Sequence, residues 1–166
     1  MTGQAAPLAE RFQQATEDVI DVVRGLSDQQ WRAVDAEEGL SIGAMAHHLA
    51  AGDRLARSVL QALAQGADRA SRQTEVATGD RERLQANEAA EFAHLSRAET
   101  IEMLRRQGAD VADTIRGLSD EELERVDTFW GESVRTREFV QRWVEDIAQH
   151  LAQIRATAGK QSSSQA

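Results

Sequence analysis

The apolar positions of the chain recur at spacings of three and four, the period of amphipathic helices, in four long stretches. The first is expected to begin near Pro7, a residue suited to a first helical turn, with Leu8, Phe12, Ala15, Val19 and Val22 or Val23 on one face. Gly25 followed by Leu26 reads as a left-handed helix end with its hydrophobic contact. Ser27-Asp28-Gln29-Gln30 has the form of a capping box and opens a short turn carrying Trp31. A second long helix is expected after Ser41, with Ile42, Met45, Leu49, Gly52, Ala56, Val59 and Leu63 as its stripe. Residues 66 to 80 are polar and small, hence a loop, and a short helix is expected from Leu84 to Leu95. Ser96 to Glu99 forms another capping box, opening a third long helix with Ile101, Leu104, Gly108, Val111, Ile115 and Leu118, which stops at Gly117. The fourth is expected from about Thr136, with Phe139, Val140, Trp143, Val144, Ile147, Leu151 and Ile154.

One segment repeats. VIDVVRGLSDQQWRAVD at 19–35 aligns without gaps to VADTIRGLSDEELERVD at 111–127, with nine of the seventeen positions identical. Each copy is a helix end, a glycine, a capping box and a short turn leading to another long helix. The expected fold is therefore all-α: a four-helix bundle of two similar helical hairpins, with a long connection between the second and third helices. Residues 1–158 are assigned to the bundle, and 159–166, GKQSSSQA, to a disordered polar tail.

Composition narrows the chemistry. With 166 residues, one domain can bury its own core. The absence of cysteine excludes a thiolate zinc site, a disulfide and a cysteine nucleophile in the chain itself. A formal net charge of −9 disfavours nucleic-acid partners. Neither a secretory leader pattern nor a membrane-length apolar run stands out, so a cytoplasmic protein without a membrane partner is expected.

The histidines are His47, His48, His94 and His150. No nucleophile elbow, phosphate loop, dinucleotide fingerprint or HExxH motif accompanies them. Asp146 and His150, four apart on the fourth helix, project from adjacent turns of one face and could grip one ion. A third ligand would come from the second helix. At 100° per residue, His48 lies roughly 70° from the centre of that helix's apolar stripe and His47 roughly 170°. His48 is thus expected on the flank of the core and His47 in water; His150 and Asp146 lie about 60° and 100° from their own stripe centre. The same residues also fit a plainer pattern, a packed imidazole and a helical Asp–His ion pair. His94 reads as a surface residue, Trp31, Trp130 and Trp143 as core or groove wall, and Gln153 as a hydrogen-bond partner for His150 or a surface amide.

Three segments together carry a family likeness: LSDQQWRAVDAEEGLSIGAMAHHLA, NEAAEFAHLSRAET and VQRWVEDIAQHLAQIRA. They span most of the chain, which resembles the DinB-like superfamily of four-helix bundles and, in ligand pattern, its mycothiol-dependent maleylpyruvate isomerases. The resemblance implies a divalent metal held by one residue of the second helix and two, four apart, on the fourth. His48, Asp146 and His150 match those positions. Asp146 stands where His or Glu is more usual, and its shorter side chain would draw an ion toward the fourth helix or leave the site weak. The resemblance therefore implies a divalent-metal enzyme, with zinc first and nickel or iron as alternatives. It would use a low-molecular-weight thiol as a transferase or isomerase on a small-molecule substrate, or act as a hydrolase. No general base can be named. The alternative is a non-catalytic bundle holding a small apolar ligand or a protein partner near Trp130 and Trp143. A homodimer is compatible with either.

Overall fold

The computed structural model describes residues 3–37, 39–64, 92, 95–129 and 132–163. The expected loop at 66–80 and His94 lie outside them, as do Trp130 and all of the expected 84–95 helix except Phe92 and Leu95. The described chain is mostly helical, in the order α1 (Ala5–Gly25), α2 (Asp28–Arg32), α3 (Ile42–Ala64), α4 (Arg97–Arg116), α5 (Asp120–Glu124), a hairpin of β1 (Val126–Phe129) and β2 (Glu132–Arg135), and α6 (Thr136–Ser163).

All three capping boxes form. The hydroxyls of Ser27, Ser96 and Ser119 each accept from the backbone N–H three residues on, at 3.2 Å, and the backbone N–H of each serine donates in return to the side-chain oxygen of Gln30, Glu99 or Glu122. Each such pair satisfies two backbone groups that a helix start would otherwise leave to water. The ends differ from expectation. Gly25 is the last helical residue and not a left-handed cap: the chain goes extended at Leu26, φ −72°, because Ser27 must immediately start α2. Among the described glycines only Gly39 has positive φ. The tail expected to be disordered from Gly159 instead continues α6 to Ser163. Lys160 and Gln161 are good helix formers, and no proline follows the single glycine to break the helix.

The repeat is real in three dimensions. After α2, Val34 bridges to Ser41 and Ile42 N–H donates to Ala33 at 2.9 Å; after α5, Val126 pairs with Arg135 and Thr136 N–H donates to Arg125 at 3.0 Å. The second copy extends this contact into the antiparallel β1–β2 hairpin, which was not expected from the sequence. Asp35 and Asp127, at matching positions, are both buried, and Val34 and Val126 are both exposed.

The halves interlock. Rather than packing chiefly on its own sequence neighbour, each long helix meets the other half: α1 lies on α4 and α6, and α3 lies on α4 and α6. Phe12, Ile20, Leu60, Leu104, Ile115 and Val140 belong to the shared core. The α1–α4 contact is tight at Gly108, where a Cβ would stand 2.7 Å from Thr16 Cγ2. A smaller cluster of Leu26, Ala33, Ile42, Met45, Ile154 and Ala158 closes one end of the bundle. Among the described residues, no helix is long and apolar enough to cross a membrane.

Candidate functional site

Ser41 opens α3, its hydroxyl accepting from Ala44 N–H at 3.1 Å, and this start sets the rotation of the two histidines that follow. The burial of the pair is the reverse of the periodicity estimate. His47 is buried, 1% exposed, with its ring 5.8 Å from Phe92, whereas His48 is exposed. The expected stripe of Ile42, Met45, Leu49, Gly52, Ala56, Val59 and Leu63 marks one buried face, but α3 packs on two helices at once. Its buried arc also takes in Gly43, Ala46, Ala50 and Ala51, and so sweeps past His47.

His48 nevertheless meets the fourth long helix. Its ring centroid lies 5.7 Å from that of His150, with the planes at 44°. One turn further along α3, Gly52 lies against Trp143, two turns before His150 on α6. The two helices therefore run antiparallel, with their facing surfaces forming one continuous seam.

His150 is held by its own helix. Its Nδ1 lies 2.9 Å from the backbone oxygen of Asp146. A carbonyl oxygen can only accept, so Nδ1 carries the proton, and in the neutral imidazole Nε2 keeps its lone pair. That is the tautomer a metal-binding histidine needs, fixed by a backbone carbonyl in the way such ligands commonly are. The Asp146 carboxylate is half-exposed and stands 3.5 Å from the same Nδ1. It accompanies the proton-bearing nitrogen and not Nε2. Accordingly, no group of three His, Asp or Glu side chains among the described residues is already gathered to hold an ion. Two imidazoles and a carboxylate are a suitable donor set for a divalent metal. Their fit requires Asp146 to turn about its side-chain bonds, which its exposure permits. Gln153, one turn on, is half-buried.

A carboxylate overlooked in the sequence lies beneath this seam. Asp53 is 2% exposed and accepts from Trp143 Nε1–H at 3.3 Å. Loss of hydration pushes its pKa from 3.8 to about 7, and the indole hydrogen bond opposes that rise only in part. A signal was present: Asp53 follows Leu49 by four and precedes Ala56 by three, so it occupies the apolar stripe of α3. Trp143 is half-buried, 5.8 Å from Phe139. Trp31 packs at the other end of α3, 6.4 Å from Phe92.

A family model for the DinB superfamily matches residues 11–154, which include His48, Asp146 and His150. The chain belongs to the DinB superfamily. No curated protein and no solved structure gives a significant match. In this DinB chain the matched span runs from within α1 to Ile154 in α6, so it takes in both copies of the repeat and the His48 and His150 parts of the seam.

Proposed function

We propose that this DinB protein is a divalent-metal enzyme whose ion is held by His48, Asp146 and His150. The observation that carries the reading is the meeting of two imidazoles from helices far apart in the chain, with rings 5.7 Å apart and the proton of one already committed to a backbone carbonyl. A bound zinc, nickel or iron ion would supply a Lewis acid with coordination positions left open to the seam. The protein's own contribution is orientation: α6 sets the His150 tautomer, and α3 brings His48 alongside. The reaction class comes from the family resemblance together with this donor set: transfer or isomerisation of a small electrophile with a low-molecular-weight thiol as co-substrate. With no cysteine in the chain, the thiol would have to be supplied by that second molecule. Hydrolysis is the variant in which water takes the place of the thiol.

The test is metal analysis of tag-free protein beside His48→Ala and His150→Ala, followed by assays of electrophile conjugation with small thiols. Stoichiometric metal in the parent, lost in both variants, supports the reading. Full metal content in both variants ends it.

A second reading has its own observation, the half-buried Trp143 packed against Phe139 on the same seam. It makes the seam a site for a small apolar ligand without chemistry. Such a protein would purify without stoichiometric metal and bind its ligand equally well after His150→Ala.

A further inference from the structure

The Trp143 indole is seated with more constraint than a surface-facing aromatic requires. Gly52 lies under it: a Cβ on that residue would stand 3.0 Å from Cζ2 and 3.5 Å from Cη2, so the ring edge rests on the α3 backbone. Phe139, one turn earlier on α6, packs at 5.8 Å with the planes inclined by 36°. Asp53 takes the indole N–H, and among the described residues Trp143 is its one hydrogen-bond donor.

A carboxyl group is a costly choice for that task. Burying it with a single donor disfavours its charged form, as its upward-shifted pKa records. Leucine would fill the volume without that cost, but it would leave the indole N–H without its acceptor. What Asp53 adds over an apolar residue is therefore a fixed orientation of one ring. That ring lies on the face of α6 that carries Asp146 and His150, three and seven residues on.

We infer that Asp53 is a positioning residue for the site: by anchoring Trp143 across Gly52 it makes the indole the fixed inner wall of the His48–His150 seam. The inference rests on the seam being the site, as proposed above. Asp53 acts on the site only through the ring.

The experiment reads the indole directly. In protein with 15N-labelled tryptophan, three indole Nε1–H signals are expected, and the one missing from Trp143→Phe belongs to Trp143. Its hydrogen-exchange rate is compared in the parent, Asp53→Asn and Asp53→Leu. Asparagine keeps an acceptor oxygen, so the rate should stay within about threefold of the parent; leucine removes it, and the rate should rise about tenfold or more without a lower thermal midpoint. Should Asp53→Leu fail to fold, Asp53→Ala, which removes the acceptor without adding bulk, should give the same acceleration. An unchanged Trp143 signal in Asp53→Leu, or in Asp53→Ala where that replaces it, overturns the inference.

A second arm adds Co2+ alone and follows tryptophan emission. Quenching that Trp143→Phe abolishes, that Asp53→Asn retains, and that Asp53→Leu at least halves while still binding Co2+ supports the wall beside the ion. Equal quenching in Asp53→Leu and the parent overturns it. Absence of Co2+ binding in the parent counts against the metal reading alone, and the exchange rates then decide whether Asp53 anchors the ring.

Discussion

The hydroxyl of Thr157, near the end of α6, donates a 2.8 Å hydrogen bond to the buried carboxylate of Asp35, just after α2. Alongside it, Gln30 reaches the Ala158 carbonyl at 3.3 Å. The second half answers with Arg125, before β1, which donates to the Leu63 carbonyl near the end of α3 at 3.0 Å. The turn of each half thus closes the far end of the other half's long helix. Thr157→Val, which keeps the shape and deletes the donor, should cost about 1–3 kcal/mol, since it strips a buried acceptor of one partner. Arg125→Ala, at a half-buried site, should cost less, about 0.5–1.5 kcal/mol. Urea unfolding checks both; a Thr157→Val midpoint equal to the parent's would mean that the bond adds nothing net.

Gly108 and Gly159 should respond oppositely to alanine. At Gly108 the new methyl would meet the β-branched Thr16 at 2.7 Å on the facing helix, so α1 and α4 must separate, at about 1–3 kcal/mol. At Gly159, inside α6, nothing stands within 4 Å, and alanine should stabilise by about 0.5–1 kcal/mol through backbone entropy. Thermal melts of the two variants, moving in opposite directions, are the check.

Asp53 sets a pH dependence whose sign is given by its upward shift. The unfolded chain loses this proton near 3.8 and the folded protein near 7, so between those values the folded state binds more protons. Stability should therefore decline as pH rises from about 4 to about 7 and level off above, with a total for this group of at most about 4 kcal/mol. Glu99, Glu122 and Glu138 work the other way. Their pKa values are depressed by hydrogen bonds from Ser96, Ser119 and Arg135 respectively, so what they stabilise is lost only on acidification below the ordinary 4.5. Asp53→Asn should flatten the decline and exceed the parent in stability at pH 8. Urea midpoints at pH 5 and pH 8 measure it, and an equal slope in variant and parent would refute the assignment.

In the proposed donor set, Asp146 and His150 should contribute unequally to metal affinity. His150 is preset, whereas Asp146 must turn away from Nδ1 to reach an ion. Asp146→Ala should weaken binding by about tenfold to a hundredfold, and His150→Ala should abolish it at micromolar metal. Competition with a chromophoric chelator resolves the two. Unchanged affinity in Asp146→Ala would remove that carboxylate from the site.

The sequence alone contained the local grammar of this protein. Three capping boxes, the starts of α3, α4 and α6, and the doubled segment were all legible, because each depends on residues within a few positions of one another. The spacing of Asp146 and His150 and the all-helical class were legible for the same reason. Tertiary packing decided the rest. It buried His47 and exposed His48, because α3 is covered from two sides and its small residues count as core. It extended the second turn into a strand pair and set each half of the repeat to close the other. It also placed Asp53 under Trp143, a contact between helices that no single-helix periodicity contains. Which face of a helix is inside depends on how many neighbours it has, and that number is a property of the assembled bundle.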